Sequence, residues 1–293
     1  MSALRAHRGL LGASAVVFAA SAITTVLWCG SMSAMPGMEM PGGWTMSMAW
    51  MRMPGQGWLG AAATFIGMWS VMMVAMMLPA FLPMLMRYRA TVAASGTKLS
   101  RLTALVSSGY FLAWTLVGVA VYPLGLALAA AEMRSPMLAQ IVPLAVGALI
   151  VAAGLLQFTA WKRRQLACCR ETPRRALPAN AINAWRHGLR LGLHCVHCCA
   201  SLTAILLTIG VMDLRAMVAV TALITAERLA PAGERVARVI GVVVVVSGLI
   251  QVAKAADERV LISGHPMEAS CFVAIAVPTH PSAPLVSLFG MTC

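Results

Sequence analysis

Long apolar runs, interrupted by short polar or basic stretches, make up most of the chain. A helix needs roughly 20 apolar residues to cross about 30 Å of hydrocarbon. Seven runs are candidates: Leu10–Cys29, Trp58–Met86, Leu102–Ala131, Met137–Phe158, Leu191–Met212, a shorter stretch Leu214–Leu229, and Val236–Ala253. The second is long enough to tilt and carries Pro79 and Pro83. The pattern therefore predicts an all-α, polytopic transmembrane bundle of about seven spans. Six remain if the first is a cleaved signal peptide, for Arg5 and Arg8 precede it and Ser31-Met32-Ser33 resembles a cleavage site. Its apolar run exceeds a typical signal core, which favours a retained helix. No repeat of fixed period recurs.

Four segments follow: residues 1–29 as first helix or signal anchor, 30–57 as a Met-rich extracytoplasmic loop, 58–253 as the membrane core, and 254–293 as an irregular extracytoplasmic tail. The tail holds Pro266, Pro278, Pro281 and Pro284, and its apolar pieces are too short to span.

Composition narrows the function classes. The chain is 60% hydrophobic and 11% charged, whereas a soluble domain is about 45–50% apolar and about 25% charged. A water-soluble globular enzyme is excluded. The net charge of +13 alone would admit a nucleic-acid partner. Its distribution points elsewhere. With the N-terminus inside, 17 of the 22 Lys and Arg fall on the cytoplasmic set of alternating loops. That is the positive-inside asymmetry of a multi-pass inner-membrane protein, whose partner is the bilayer.

Candidate chemistry concentrates in His194-Cys195-Val196-His197-Cys198-Cys199, at the cytoplasmic start of the fifth span. At about 100° per residue, His194, His197 and Cys198 share a helix face, and Cys195 and Cys199 form a second i, i+4 pair. Imidazole suits zinc, copper, iron and nickel, and thiolate favours Cu(I) and zinc. Five such residues in two turns of a lipid-embedded helix outweigh plain packing, because polar groups at membrane depth are costly. Counting back from the turn at Asp213 brings Glu227 level with about Cys199, as a ligand, a partner of a histidine, or half of an ion pair with a nearby arginine. Cys168 and Cys169 lie in the basic loop and could fold under the helix ends.

Methionine is the other surplus, at 22 residues. The outer loop is densest at Met35, Met38 and Met40, and the second span carries Met68, Met72, Met73, Met76 and Met77. Thioether sulfur selects Cu(I). Membrane-surface packing of the loop, anchored by Trp44 and Trp50, and gap-filling in the span are the alternatives. An outer Met loop, a Met stripe and an inner Cys/His cluster in one line favour Cu(I), with zinc the other candidate.

Trp69-Ser-Val-Met-Met-Val-Ala-Met-Met-Leu-Pro79, the Lys162…Cys169-Arg170 loop, the His194–Cys199 cluster, Gly210-Val-Met-Asp213 and Glu227-Arg228 occur in that order. Together they resemble the bacterial family of predicted metal-binding integral membrane proteins called domain of unknown function 2182, over roughly residues 58–253. The resemblance implies a polytopic inner-membrane protein with a metal-related, and copper-related, role. In that family's pattern glycine stands where His197 stands here.

The sequence thus predicts a membrane protein that binds a soft transition metal, foremost Cu(I), for transport or for delivery to a metal chaperone or membrane-complex partner. The candidate ligands are His194, Cys195, His197, Cys198, Cys199, Glu227, Cys169, Met35, Met38, Met40, Met72 and Met76. A membrane thiol redox protein and a structural subunit of a membrane complex are the alternatives. Triads, phosphate-binding loops and paired carboxylates have no support.

Overall fold

The computed structural model describes residues 2–33, 38–40, 44–46, 50, 55–92, 96–170 and 179–264. Among these are eight helices: α1 (Ser2–Ser33), α2 (Trp58–Thr91), α3 (Gly96–Arg134), α4 (Pro136–Leu156), α5 (Ala160–Arg170), α6 (Ala181–Ile209), α7 (Leu214–Leu229) and α8 (Gly233–Gly264). A short antiparallel hairpin, β1 (Met38–Met40) with β2 (Trp44–Met46), pairs Met38 with Met46 and Met40 with Trp44. The chain divides into two units, Met1–Ala256 and Asp257–Cys293. The first contains the bundle. Of the second, the residues up to Gly264 are helical.

Six helices, α1 to α4, α6 and α8, are long and apolar enough to cross a membrane. The protein is an all-helical, multi-pass bundle. α7, expected as a further span, has 16 residues and rises about 24 Å, short of the hydrocarbon thickness. α8 continues to Gly264, past the Ala253 where hydropathy alone ends the span, so residues 254–264 of the expected irregular tail are helical. The outward faces stay apolar, as on α8 with Val239, Val242, Val246 and Leu249 exposed. Lipid can solvate such a surface and water cannot.

α2 is the centre of the bundle. Its inward side buries Phe65, Met68, Trp69, Met72, Met73, Met76, Met77, Phe81 and Met84. Trp69 donates its indole N–H to the Trp114 carbonyl at 2.8 Å, and Ser70 meets Thr115 at 3.1 Å, tying α2 to α3.

The closest helix pair is α3 with α6. With lipid outside, burial in water does not drive helices together, and small residues that let backbones touch take over. Gly188 and Gly192 on α6 are four residues apart and face Val106 and Tyr110 on α3, while Gly109 answers from α3. A Cβ on Gly188 would run into the Val106 carbonyl oxygen, and one on Gly192 would sit 2.6 Å from that of Tyr110. Glycines also set α4 against α8, where a Cβ on Gly154 would lie 2.8 Å from the Val245 nitrogen.

The β1–β2 hairpin packs against α3 and α4. Met40 is buried with Ala129 and Ala139, and the Trp44 indole donates to the Ala139 carbonyl at 2.9 Å. Trp50 lies 5.2 Å from Phe65, centroid to centroid.

Gly188→Val drives two methyl groups into the α3 backbone and should lower stability in detergent by at least about 1–3 kcal/mol, the usual cost of overpacking. Gly12→Ala, on α1 where nothing lies within 4 Å of an added Cβ, should leave it unchanged or slightly raised. Thermal unfolding of the two variants makes the comparison, and equal behaviour would contradict the close-approach account.

Candidate metal centre

The α3–α6 contact decides which side of the His/Cys run turns inward. Ala184, Gly188, Gly192, Cys195, Cys199, Leu202 and Leu206 are all buried along α6. Spaced by three, four or seven residues, they form one helix stripe. Cys195, Cys198 and Cys199 are buried, whereas His194 and His197 are exposed. The shared face expected for His194, His197 and Cys198 is therefore split by the packing: the thiol enters the bundle and the imidazoles flank it outside. His197 Nδ1 lies 2.7 Å from the Leu193 carbonyl of its own helix.

The pair that does meet is Cys195 with Cys199, whose sulfurs are 3.8 Å apart. Cys195 Sγ accepts hydrogen bonds from Tyr110 Oη at 2.9 Å and Arg228 Nη1 at 2.8 Å. The other terminal nitrogen of Arg228 donates to Met84 Sδ at 2.7 Å. Tyr110 stacks on Phe81 with centroids 4.1 Å apart, so its hydroxyl is held toward α6.

A second polar group lies one residue away on α7. Glu227 Oε2 and Lys162 Nζ form an ion pair at 2.8 Å, with the two side chains 2% and 1% exposed. Lys162 also donates to the Cys198 backbone carbonyl at 2.7 Å. α7 reaches this level because of the turn before it. Gly210 ends α6 at φ +135°, which L side chains rarely adopt, and Asp213 Oδ1 caps α7 by accepting from the Arg215 and Ala216 amides. The Gly210–Asp213 segment thus positions Glu227 and Arg228 beside the cysteines.

The remaining candidates are dispersed. Met72 and Met76 are buried on α2 in the same core as the cysteines, and Met40, on β1, is buried against Ala129 and Ala139. Met35 and the side chains of Met38 and Cys169 lie outside the described residues; Cys168 is exposed. Among the described residues, no group of three His, Cys, Asp or Glu side chains is arranged to hold a metal.

Two participants, Tyr110 and Met84, were not singled out from sequence, and Lys162 and Arg228 stood there only in the quoted motifs, without a role at the site. Lys162 and Arg228 are counted there among the cytoplasmic basic residues, yet both side chains are buried. Tyr110 carried a usable signal, as one of three tyrosines in the whole chain.

A family model described as PpoB2, copper chaperone, matches residues 66–251. The chain belongs to the PpoB2 copper chaperone family. The match begins within α2 and ends within α8, so it takes in every residue of the buried cluster. It supports the copper-related expectation under a different family description from the one the motifs resembled. No curated protein and no solved structure matches the chain.

Removing one partner of the buried ion pair leaves a charge without its counter-ion. Lys162→Met should lower unfolding free energy by about 3–5 kcal/mol, and adding Glu227→Leu should restore most of it. Denaturant unfolding in micelles of the two single variants and the double variant measures this coupling. A double variant as unstable as the sum of the singles would contradict it.

Proposed function

We propose that this protein is an inner-membrane carrier that binds Cu(I) at Cys195 and Cys199 and delivers it to a partner. The observation that carries the reading is the buried thiol pair, with sulfurs 3.8 Å apart. A zinc–thiolate bond is about 2.3 Å long, and an ion of similar size reaches two sulfurs at that spacing. A closed zinc site uses four ligands of the Cys, His and carboxylate types. The described residues group no three of them, which favours Cu(I) with its preference for soft sulfur. Family membership supports copper as the cargo.

The methionines extend the reading across the bundle. Met68, Met72, Met76 and Met84 are buried on α2, with Ala80 completing the i, i+4 series. From Met68 to Met84 the helix rises about 24 Å. In this proposal the outer Met35–Met40 segment captures the ion, the α2 thioethers hand it along, and the thiols hold it. The positive-inside asymmetry supports a cytoplasmic N-terminus and thiols toward the cytoplasmic side. His194 and His197, exposed beside the thiols, and Cys169 serve as exchange ligands for the partner. Glu227 and Lys162 hold the helix ends around the site through the Cys198 carbonyl.

Full-length protein purified under reducing conditions should retain stoichiometric Cu(I). Cys195→Ser with Cys199→Ser should lose it, while Cys168→Ser and His194→Ala with His197→Ala should keep it. Metal analysis against protein concentration reads the result. Copper content in the double serine variant equal to that of wild type would overturn the proposal.

A further inference from the structure

A buried arginine in a membrane bundle is costly and ordinarily serves a function. Arg228 is 6% exposed, and two of its donors end on sulfur: Cys195 Sγ at 2.8 Å and Met84 Sδ at 2.7 Å. Thioether and thiol sulfurs are weak hydrogen-bond acceptors. They are also the atoms that a soft monovalent metal seeks. The guanidinium is a rigid planar fork that keeps its charge at every physiological pH. The two sulfurs it grips therefore lie on either side of one fixed positive charge.

We infer that Met84 is the third sulfur ligand of the copper site and that Arg228 is a resident cation which Cu(I) displaces. This inference rests on the reading that Cys195 and Cys199 bind Cu(I). Guanidinium and Cu(I) carry the same charge; Cys195 and Cys199 bind the metal as thiolates, any proton they hold being released to solvent, while the displaced guanidinium stays tethered to α7. The third ligand is a thioether, which accounts for the lack of a three-membered His, Cys, Asp or Glu group among the described residues. Tyr110 contacts Cys195 from α3 at 2.9 Å and also accepts from Arg228 Nη1 at 3.4 Å; its own hydrogen bond to the thiol keeps that sulfur oriented once the guanidinium moves.

The arrangement has a functional consequence. Without metal, Arg228 holds Met84 and Cys195 in place from α2 and α6, so the site does not need to assemble when copper arrives. Displacing the guanidinium costs affinity, and the same term favours release when a partner takes the ion. Moderate retention with ready transfer is what delivery requires.

The test measures Cu(I) affinity of the full-length protein in detergent by competition with a chromogenic Cu(I) chelator. Met84→Leu should bind at least about tenfold more weakly, since losing even a group that only supports a ligand costs about 10–100-fold in metal affinity. Arg228→Gln should bind about tenfold more tightly, because the competing state is removed. In the Met84→Leu background the gain from Arg228→Gln should shrink, since the two residues act on one event. X-ray absorption should count fewer sulfurs around copper in Met84→Leu than in wild type.

An unchanged affinity and sulfur count in Met84→Leu overturns the inference, as does weaker binding by folded Arg228→Gln. Leucine replaces methionine at nearly constant volume, so Met84→Leu decides the matter if Arg228→Gln does not fold. Loss of copper in the cysteine variants alone, with Met84→Leu and Arg228→Gln like wild type, refutes only this inference. Retention of copper in the cysteine variants refutes the underlying reading instead.

Discussion

The backbone contact between α3 and α6 governs the site. Gly188 and Gly192 leave no space for side chains between their helix and Val106 and Tyr110. That approach fixes the rotation of α6. Rotation in turn selects Cys195 and Cys199, rather than the histidines beside them, as the groups that enter the bundle. It also brings the Tyr110 hydroxyl within 2.9 Å of Cys195 Sγ. In a lipid environment apolar side chains face lipid and protein with similar ease, so close packing at small residues and hydrogen bonds between helices orient a helix.

The polar interior is then arranged in two connected groups. Lys162 and Glu227 neutralise one another and support the Cys198 carbonyl from α5 and α7. Arg228 joins α7 to a thiol on α6 and a thioether on α2. Buried ion pairs contribute little net stability after desolvation, so their retention in an apolar bundle is better explained by positioning. Here the two groups hold α2, α5, α6 and α7 around a sulfur pair. The combination of buried sulfur, fixed positive charge and an enclosing apolar shell suits a soft cation that must be bound without water and then given up.

Much of this organisation was legible in the sequence. Hydropathy located each long helix, because an apolar run near 20 residues has few other uses. α7, read as a span, has 16 residues, and its Glu227 end lies at the level of the cysteines. The cluster from His194 to Cys199 was visible from composition, but spacing alone left two helix faces open, and only the glycine contact with α3 chooses between them. Lys162 was hidden by its neighbours: in Trp161-Lys-Arg-Arg164 it looks like one more cytoplasmic charge, yet it alone of the three basic residues is buried. Arg228 was hidden in the same way by the charge asymmetry that revealed the topology. Met84 was inconspicuous because the denser run from Met68 to Met77 ends before it. A pairing across three helices leaves no spacing signature.

The most direct test of the central claim is the X-ray absorption spectrum of the full-length protein loaded with Cu(I) under reducing conditions. The account predicts a first coordination shell made only of sulfur, from residues inside the bundle. A shell containing imidazole nitrogen, with the outer features that histidine ligation produces, would move the metal to the exposed side of α6 and contradict it.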